Sequence, residues 1–276
     1  MSESAIKGPQ AASDDTGRRV LVIGATGGIG AALCRRMASR GWSIFMAARH
    51  EDSLRALEGS LRESISRDAG AASIHWTALD ATQPGAIESA ADQALTQLGR
   101  IDAIVNLVGS ILLKPAHQTT DAELDLTLRL NLFTAFACVR AAARTMRTSG
   151  GSVVLMGTAA ARAGLPNHEA IAAAKGAVAG LALSAAATYA PQNIRVNVVA
   201  PGLVDTPMAS GITASEVALQ ASIAMHALGR IGNPREVASL IEWLVSSDAS
   251  WVTGQIFGID GGLASVRPRP KAAAAR

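Results

Sequence analysis

A glycine-rich segment near the amino terminus has the residue types and spacing that hold a dinucleotide. Residues 24–30, with the sequence GATGGIG, follow the apolar stretch 18–23 and open a stretch with helical spacing. The pyrophosphate of a dinucleotide approaches backbone N–H groups at a helix amino terminus, where a side chain would block it. Such a turn at the first strand–helix junction is far more specific than glycine alone. The residues predicted to contact the pyrophosphate are Gly24, Gly28, Ile29 and Gly30.

The end of the second predicted strand bears on the choice between NAD and NADP. An NAD site places a carboxylate there for the ribose 2′-hydroxyl, whereas NADP needs a cation for the 2′-phosphate. Arg49 stands at this point, and the next acid is Glu51. We predict that Arg49, helped by the Thr26 hydroxyl, binds the 2′-phosphate of NADP(H); a solvent-facing arginine is the alternative. Asp80, which ends the third predicted strand, is expected near the adenine, although a strand-end aspartate also caps helices.

Apolar stretches alternate with amphipathic ones along the chain, and this alternation gives the elements that position these residues. The predicted strands lie at 18–24, 43–49, 73–80, 101–109, 151–157, 193–202 and 254–260. The predicted helices lie at 28–41, 51–66, 84–98, 121–148, 167–190 and 234–246. Residues 203–226 show little strand signal and are predicted as an irregular insertion of the kind that forms lids.

The strands are almost continuously apolar, which is typical of a parallel sheet covered on both faces. We therefore predict an α/β fold: a Rossmann-like doubly wound parallel β-sheet with helices on both faces, in a single domain. The domain is expected to span residues 18–263. A disordered leader at 1–17 would precede it, and a basic flexible tail at 264–276 would follow it.

The composition and charge exclude several classes of protein. Apolar residues make up 49% of the 276 residues and charged residues 17%, which excludes wholesale disorder. Four cations follow Asp260, the last acid, and removing them changes the formal net charge from +3 to −1. The basic balance therefore belongs to the tail, and we predict no nucleic-acid partner.

Compartment and metal content are also predicted. Residues 1–15 lack the apolar core of a signal peptide, and the uncharged stretch 176–194 contains enough polar residues to be a buried helix and loop. We expect a cytoplasmic protein with no membrane contact. Cys34 and Cys138 lie in apolar helical stretches without ligand-type neighbours, which favours buried thiols and no metal site.

The motifs together resemble those of the short-chain dehydrogenase/reductase family over about residues 18–263. The glycine turn is similar to the family's TGxxxGxG with Ile23 in the leading position, and Ala48-Arg49 resembles its NADP-preferring members. The other matching segments are Asp80, Asn106–Gly109, Asn131, Pro201-Gly202, 229–237 and 260–262. This resemblance implies hydride transfer between a nicotinamide and a small-molecule substrate, with Asp80, Asn106, Gly109, Pro201 and Gly202 in the cofactor site.

The resemblance also identifies the catalytic positions and one departure from the family pattern. Family members use a tyrosine as proton donor, a lysine four residues later, a serine after the fifth strand and an asparagine on a helix. Here the lysine is Lys175, the asparagine is Asn131 and the serine position holds Thr158. Ile171 occupies the tyrosine position, and the chain's single tyrosine, Tyr189, would lie about 20 Å from Lys175 along the same helix.

Three accounts of this departure remain open. In the first, another group supplies the proton, with His168 the leading candidate because its spacing places it on the helical face of Ile171 and Lys175 if the helix has begun there; a surface histidine at a helix start is the alternative. In the second, the substrate is a conjugated alkene that takes its proton from water or a hydroxyl. In the third, the protein binds NADP(H) without redox chemistry, as a subunit or sensor.

We predict an NADPH-dependent oxidoreductase with an altered proton donor, acting on a small apolar carbonyl, alcohol, enone or enoyl substrate. The alternative is a non-redox or inactive NADP-binding protein. Leu112, Leu113, Met208 and Met225 suggest a largely apolar substrate mouth. The resemblance and the apolar faces of helices 121–148 and 167–190 predict a homotetramer, with a dimer as fallback.

Overall fold

A seven-stranded parallel sheet forms the centre of the molecule. The computed structural model describes residue 15, residues 17–64 and residues 72–267. The strand order is β3-β2-β1-β4-β5-β6-β7, and every neighbouring pair is parallel. The strands are β1 (Arg19–Ile23), β2 (Ser43–Ala48), β3 (Ile74–Ala78), β4 (Ala103–Asn106), β5 (Gly151–Met156), β6 (Ile194–Pro201) and β7 (Ile256–Ile259). The predicted doubly wound α/β fold is confirmed.

Helices cover both faces of the sheet. They are α1 (Gly28–Ala38), α2 (Glu51–Ser64), α3 (Ala86–Leu98), α4 (Asp121–Leu128), α5 (Thr134–Thr145), α6 (Ala160–Ala163), α7 (Glu169–Tyr189), α8 (Ser210–Thr213), α9 (Glu216–Met225) and α10 (Pro234–Val245). A π-helical turn (Arg129–Phe133) joins α4 to α5, and short 3₁₀ turns lie at Ala116–Gln118, Ala190–Gln192, Pro207–Ala209 and Ser247–Ala249.

Two apolar cores lie on opposite faces of the sheet. In one, α3, α5 and α7 pack small side chains such as Ala91, Ala141 and Ala182 against the strands. In the other, α1, α2 and α10 contribute larger residues such as Leu33 and Ile241. The strand order reverses between β1 and β4, and in open parallel sheets ligands bind at the carboxyl ends of the strands beside such a switch point.

The structure corrects four predicted elements. The third helix begins at Ala86 instead of Pro84, because Gly85 adopts a left-handed φ of 80° that only a turn accommodates. The predicted helix 121–148 is interrupted by the π-helical turn and ends at Thr145. The predicted helix 167–190 begins at Glu169, because Asn167 has a φ of 61°. Residues 203–226 were expected to be irregular, but they contain α8 and α9.

The predicted leader and tail lie largely outside the described residues. Within the leader, Asp15 accepts hydrogen bonds from the backbone N–H and hydroxyl of Ser247 and pairs with Arg18. Residues 263–265 continue from β7 as a turn, in which Val266 N–H donates to the carbonyl of Gly262. Residues 1–14 and 268–276 are among those not described, so their predicted disorder stays a prediction.

Two helical stretches of the described chain reach the length and hydropathy of a membrane span. They cover Asp121–Thr145 and Glu169–Gln192. Both pack against the sheet, with 50% and 44% of their most apolar windows buried. This partial burial is what a core helix of a domain shows.

Candidate active site

The glycine turn after β1 leaves the first turn of α1 without side-chain caps. Gly27 precedes the helix and makes no side-chain hydrogen bond, and no acidic residue lies in the first turn. A Cβ on Gly24, whose φ is 84°, would lie 3.0 Å from the Leu107 carbonyl carbon, and a Cβ on Gly30 would collide with the Gly24 carbonyl oxygen. Glycine is therefore required for chain packing, and the helix N–H groups stay accessible to an anion.

The ends of β2 and β3 carry the residues predicted to recognise the adenosine half of a cofactor. Arg49 is exposed at the end of β2 and forms no ion pair or hydrogen bond with the described residues. Asp80 accepts hydrogen bonds from the Thr82 N–H and hydroxyl and from Gln83, and these bonds, with the nearby charge of Arg49, hold its pKa below the usual range. Arg49 thus remains free to bind an anion, whereas the Asp80 carboxylate already organises its own turn.

Asn106 braces the turn that follows β4. Its side chain is 2% exposed, donates to the Thr134 hydroxyl at 3.1 Å and accepts from the Val108 N–H at 3.2 Å. These bonds tie the turn to α5 and carry the chain to Gly109. A Cβ at Gly109 would lie 2.8 Å from Asn131 Oδ1 and 3.5 Å from Lys175 Nζ, so only glycine permits this close approach.

Asn131 lies in the π-helical turn and fixes Ser110. A π turn inserts an extra residue into a helix, and such turns are frequent at functional sites. The Asn131 amide donates to the Thr127 carbonyl at 2.9 Å and to Ser110 Oγ at 3.0 Å, while its Oδ1 accepts from the Ser110 N–H at 3.3 Å. Both amide hydrogens are therefore used, and the Ser110 hydroxyl keeps its own hydrogen free to donate.

Thr158 follows β5 at the same edge of the sheet. Its Oγ1 accepts a hydrogen bond from the Ala160 N–H at 3.3 Å, as the chain enters the short helix α6. The preceding Gly157 packs on β6, where an added Cβ would lie 2.8 Å from Val198 Cγ1. This packing brings the Thr158 hydroxyl to the switch-point side of the sheet.

Lys175 is the buried cation of the site. It lies one helical turn after Ile171 on α7, and the two side chains are 7% and 5% exposed. Burial lowers the pKa of the Lys175 ammonium to about 8. Its Nζ forms no hydrogen bond or ion pair with the described residues, although Nζ and Asn131 Oδ1 both lie close to Gly109.

The segment after β6, residues 202–226, covers the site at the carboxyl ends of the strands. Pro201 and Gly202 end the strand, and a Cβ on Gly28 would lie 2.9 Å from Thr206 Cγ2, so this segment rests on the start of α1. His226, 3% exposed, ties the far end of the segment to its beginning. Its Nδ1 lies 2.6 Å from the Ser222 carbonyl oxygen, and its Nε2 lies 3.1 Å from the Leu203 N–H. The neutral imidazole satisfies both contacts as donor and acceptor respectively.

One cavity of about 200 Å³ joins these groups. Of the predicted site residues, it is lined by Gly24, Gly28, Ile29, Gly30, Gly109, Asn131, Thr158, Lys175, Pro201 and Gly202. Those that do not line it are Thr26, Arg49, Asp80, Asn106 and His168. His168 stands at the start of α7 outside the helix, with Nδ1 2.7 Å from the Pro166 carbonyl oxygen. The shared helical face required α7 to have begun at His168, and this condition is not met, because α7 begins at Glu169.

Sequence reasoning missed several lining residues. Ser110, Ile111 and Thr206 line the cavity, together with the predicted Met208. The position of Ser110 immediately after Gly109 was the signal that could have found it. Leu112, Leu113 and Met225 do not line the cavity. Among the described residues, no group of three or more His, Cys, Asp or Glu side chains could hold a metal ion. The Cys34 thiol is fully buried, and this burial raises its pKa to about 12.

The sequence and the fold both match proteins of known type. Residues 24–264 match the family model described as enoyl-(acyl carrier protein) reductase. The cis-4-hydroxycyclohexanecarboxylate dehydrogenase of Sinomonas cyclohexanicum is 36% identical over 254 residues, which cover 90% of this chain and 97% of that protein. The cyclopentanol dehydrogenase of Comamonas testosteroni is 34% identical over 244 residues, covering 88% of this chain and 95% of that protein.

Two solved structures share the whole fold. A short-chain type dehydrogenase/reductase from Mycobacterium ulcerans superposes with a TM-score of 0.85 at 29% identity and covers 92% of each chain. A variant of actinorhodin polyketide ketoreductase, solved with NADPH, superposes with a TM-score of 0.83 at 26% identity and covers 93% of this chain and 100% of its own.

Proposed function

Because the chain belongs to the short-chain dehydrogenase/reductase family, we propose that it is an NADPH-dependent oxidoreductase with an altered proton donor. The observation that supports this most is a single cavity that runs from the glycine turn of α1 to the buried, unpartnered Lys175. Such a cavity can place a nicotinamide and a substrate carbon side by side, which hydride transfer requires.

The residues present fit NADP(H). The uncapped N–H groups at the start of α1 suit the pyrophosphate, and Gly24 and Gly30 permit its approach. Arg49 offers an exposed, unpaired guanidinium at the end of β2, where NAD-binding sites carry a carboxylate. Lys175 would hold the nicotinamide-side ribose. The bound cofactor would supply the hydride, while the side chains of the chain position the substrate and handle its proton.

The proposed substrate is a small apolar secondary alcohol or its ketone, with conjugated enones and enoyl compounds as the second class. The relatives named above act on cyclohexane and cyclopentane alcohols. The cavity fits such rings, because Ile111, Met156, Ile171 and Met208 line it with apolar surface. The Thr158 and Ser110 hydroxyls line the same cavity and could donate hydrogen bonds to a substrate oxygen.

The altered proton donor follows from the residue one turn before Lys175. The family's tyrosine position holds Ile171, whose buried side chain lines the cavity and carries no proton to give. The other family positions keep functional groups, since Asn131, Thr158 and Lys175 all line the same cavity. Ile171 also supports the second candidate function, an NADP-binding subunit or sensor without redox activity.

One assay distinguishes the two candidates. The purified full-length protein is mixed with NADPH and a panel of cyclic ketones, enones and enoyl thioesters, or with NADP⁺ and cyclic secondary alcohols, and absorbance at the nicotinamide band is followed. Substrate-dependent turnover supports the oxidoreductase. Saturable NADPH binding without turnover of any compound supports the binding protein. A protein that binds neither NADPH nor NADH would contradict both candidate functions.

We also propose a cytoplasmic homotetramer. Large apolar side chains are exposed on the helices α4, α5 and α7 and on the π turn: Leu126, Phe133, Phe136 and Leu183. A second set lies on and beside α10 and β7: Trp243, Trp251 and Ile256. Two sets of exposed apolar side chains on one protomer would suit two kinds of dimer contact, as a tetramer needs, and a dimer is the fallback.

A further inference from the structure

Among the described residues that line the cavity, only Lys175 has a side chain that titrates near neutral pH. The described residues around this space are glycines, aliphatic residues, methionines, prolines, two threonines, one serine, one asparagine and Lys175. Alcohol and amide groups do not ionise near neutral pH, so they cannot act as the acid by themselves. His168, the other basic candidate, lies outside the cavity with its Nδ1 against the Pro166 carbonyl.

The Lys175 ammonium also has no ion-pair or hydrogen-bond partner among the residues that the structure describes. Its stem packs on the same face of α7 as Ile171 and Val178, which are nearly fully buried. Nζ forms no ion pair with a described carboxylate and no hydrogen bond with a described residue, although Asn131 Oδ1 lies near the same point beside Gly109. A buried charge without a partner is costly and is retained where a ligand will meet it. The N–H groups of Nζ are therefore available to an acceptor that enters the cavity.

We propose that Lys175 Nζ itself exchanges the proton with the substrate oxygen. This inference rests on the proposed oxidoreductase function. In reduction, the bound cofactor would supply a hydride to the carbonyl carbon, and Nζ would give a proton to the carbonyl oxygen. The alcohol forms, and the neutral Lys175 amine that remains takes up a proton from the solvent. Oxidation runs in reverse, with the neutral amine accepting the hydroxyl proton.

The protonation behaviour of Lys175 suits this role. Burial lowers its pKa to about 8, so at pH 7 about ten protonated lysines exist for each neutral one. No other charge contributes to this shift. The charged groups on α7 and on the elements packed against it are Asp121, Glu123, Asp125, Arg129, Arg140, Arg144, Arg162, His168, Glu169 and Arg195. None of them is paired with Lys175.

The Ile171 side chain explains why the lysine can act directly. In a helix, residues four apart stack on one face, so a tyrosine at this position would stand between the amine and the substrate oxygen. Isoleucine is shorter and has no polar atom. No donor at position 171 therefore stands between Nζ and a substrate oxygen placed near Thr158. Lys175 and Thr158 line the same cavity.

The first test is the pH dependence of wild-type turnover. Reduction requires the protonated amine, so kcat/KM for a ketone should fall as the pH rises through about 8. Oxidation of the alcohol requires the neutral amine and should rise over the same interval. Labelling of Lys175 by trinitrobenzenesulfonate, followed by mass spectrometry, should titrate with the same midpoint, which gives a readout independent of activity.

The second test asks whether Lys175 transfers a proton or only orients the substrate through its positive charge. Lys175→Arg keeps the cation but cannot release a proton in this pH range. We expect reduction to fall by about 10²–10⁴-fold, with loss of the limb near pH 8 and little change in the NADPH dissociation constant. Lys114→Arg is the matched control, since Lys114 is ion-paired with Glu123 outside the cavity, and it should keep both rate and pH profile.

Arginine is larger than lysine and could disturb the packing at position 175, so a third variant, Lys175→Ala, is also needed. In Lys175→Ala, added primary amines should restore turnover, with rates that follow the pKa of the amine. Rescue independent of amine pKa, or a Lys175→Arg variant with wild-type rate and pH limb, would overturn the lysine assignment while leaving the oxidoreductase intact. A wild-type protein that turns over no substrate of the panel would overturn the proposed function and this inference together.

Discussion

Replacing Arg49 with aspartate should reverse the proposed cofactor preference, from NADPH to NADH. Arg49 is exposed at the end of β2 and has no ion pair or hydrogen bond to lose among the described residues. The change therefore acts on the ligand and leaves the fold almost unaffected. For NADPH, the variant loses a charge-assisted contact and places a carboxylate beside the 2′-phosphate. For NADH, the same carboxylate can accept a hydrogen bond from the ribose 2′-hydroxyl.

The magnitude follows from the exposure of the site. A hydrogen bond to a charged group contributes about 1.5–3 kcal/mol, and solvent screening at an exposed arginine favours the lower end. Repulsion between a carboxylate and a phosphate of about two charges at high dielectric adds about 2 kcal/mol. Together these weaken NADPH binding by about 3.5 kcal/mol, roughly 300-fold. Arg49→Ala removes only the first contribution and should weaken NADPH about tenfold.

The assay is a fluorescence titration of both reduced cofactors against the wild type, Arg49→Ala, Arg49→Asp and a control. Arg147→Asp makes the same charge change at an exposed residue beyond the carboxyl end of α5. NADPH affinity should fall in the order wild type, Arg49→Ala, Arg49→Asp, whereas NADH should bind several-fold tighter to Arg49→Asp. Because the contact is screened, the wild-type preference should shrink at high salt.

Two results would refute the reasoning. The first is a wild type that binds NADH as tightly as NADPH or more tightly. The second is an Arg49→Asp variant that loses no more NADPH affinity than Arg147→Asp, which would show that only the net charge matters. Either result would make Arg49 the solvent-facing arginine that the sequence left as the alternative.

Four further outcomes are expected. Ile171→Tyr should raise ketone reduction at least tenfold while leaving enone reduction unchanged, because a tyrosine between Lys175 and the carbonyl oxygen would add a second proton donor for the ketone alone; a variant that reduces ketones no faster than the wild type would contradict this. His168→Ala should keep the rate and pH profile of the wild type, since this histidine does not line the cavity. Light scattering should give a mass of four chains, and Phe136→Glu should lower it, because a charge would enter the proposed contact. His226→Phe should lower stability by about 2 kcal/mol, or roughly 4–8 °C in Tm, because the Leu203 N–H loses its buried acceptor; an unchanged Tm would show that solvent replaces that contact.

The sheet could be predicted from the sequence because its strands are buried on both faces. Residues 19–23 and 194–201 are apolar almost without interruption, and no other element accommodates such short apolar runs between helical stretches. Helix ends were less predictable, since they depend on single backbone conformations. The left-handed φ of Asn167 delays α7 to Glu169, and nothing in the residue type of asparagine requires it.

The site was predictable where it depends on glycine and unpredictable where it depends on packing. The turn at Gly24 and the contact of Gly109 with Asn131 require residues without a Cβ, and the pattern shows them directly. The π turn around Asn131 leaves no periodicity signal, because it arises from how α4 and α5 meet the rest of the chain. The roles of Ser110 and of the unpartnered Lys175 likewise needed the three-dimensional arrangement.

The contact between Thr206 and Gly28 has a kinetic consequence. The segment that covers the cavity rests on the first residue of the helix that would hold the pyrophosphate, and His226 fastens that segment at its other end. We therefore expect exchange of a bound cofactor to require that this segment lift away from α1. In a stopped-flow experiment, the order of events should be compulsory: the cofactor enters first, leaves last, and sets the steady-state rate when chemistry is fast.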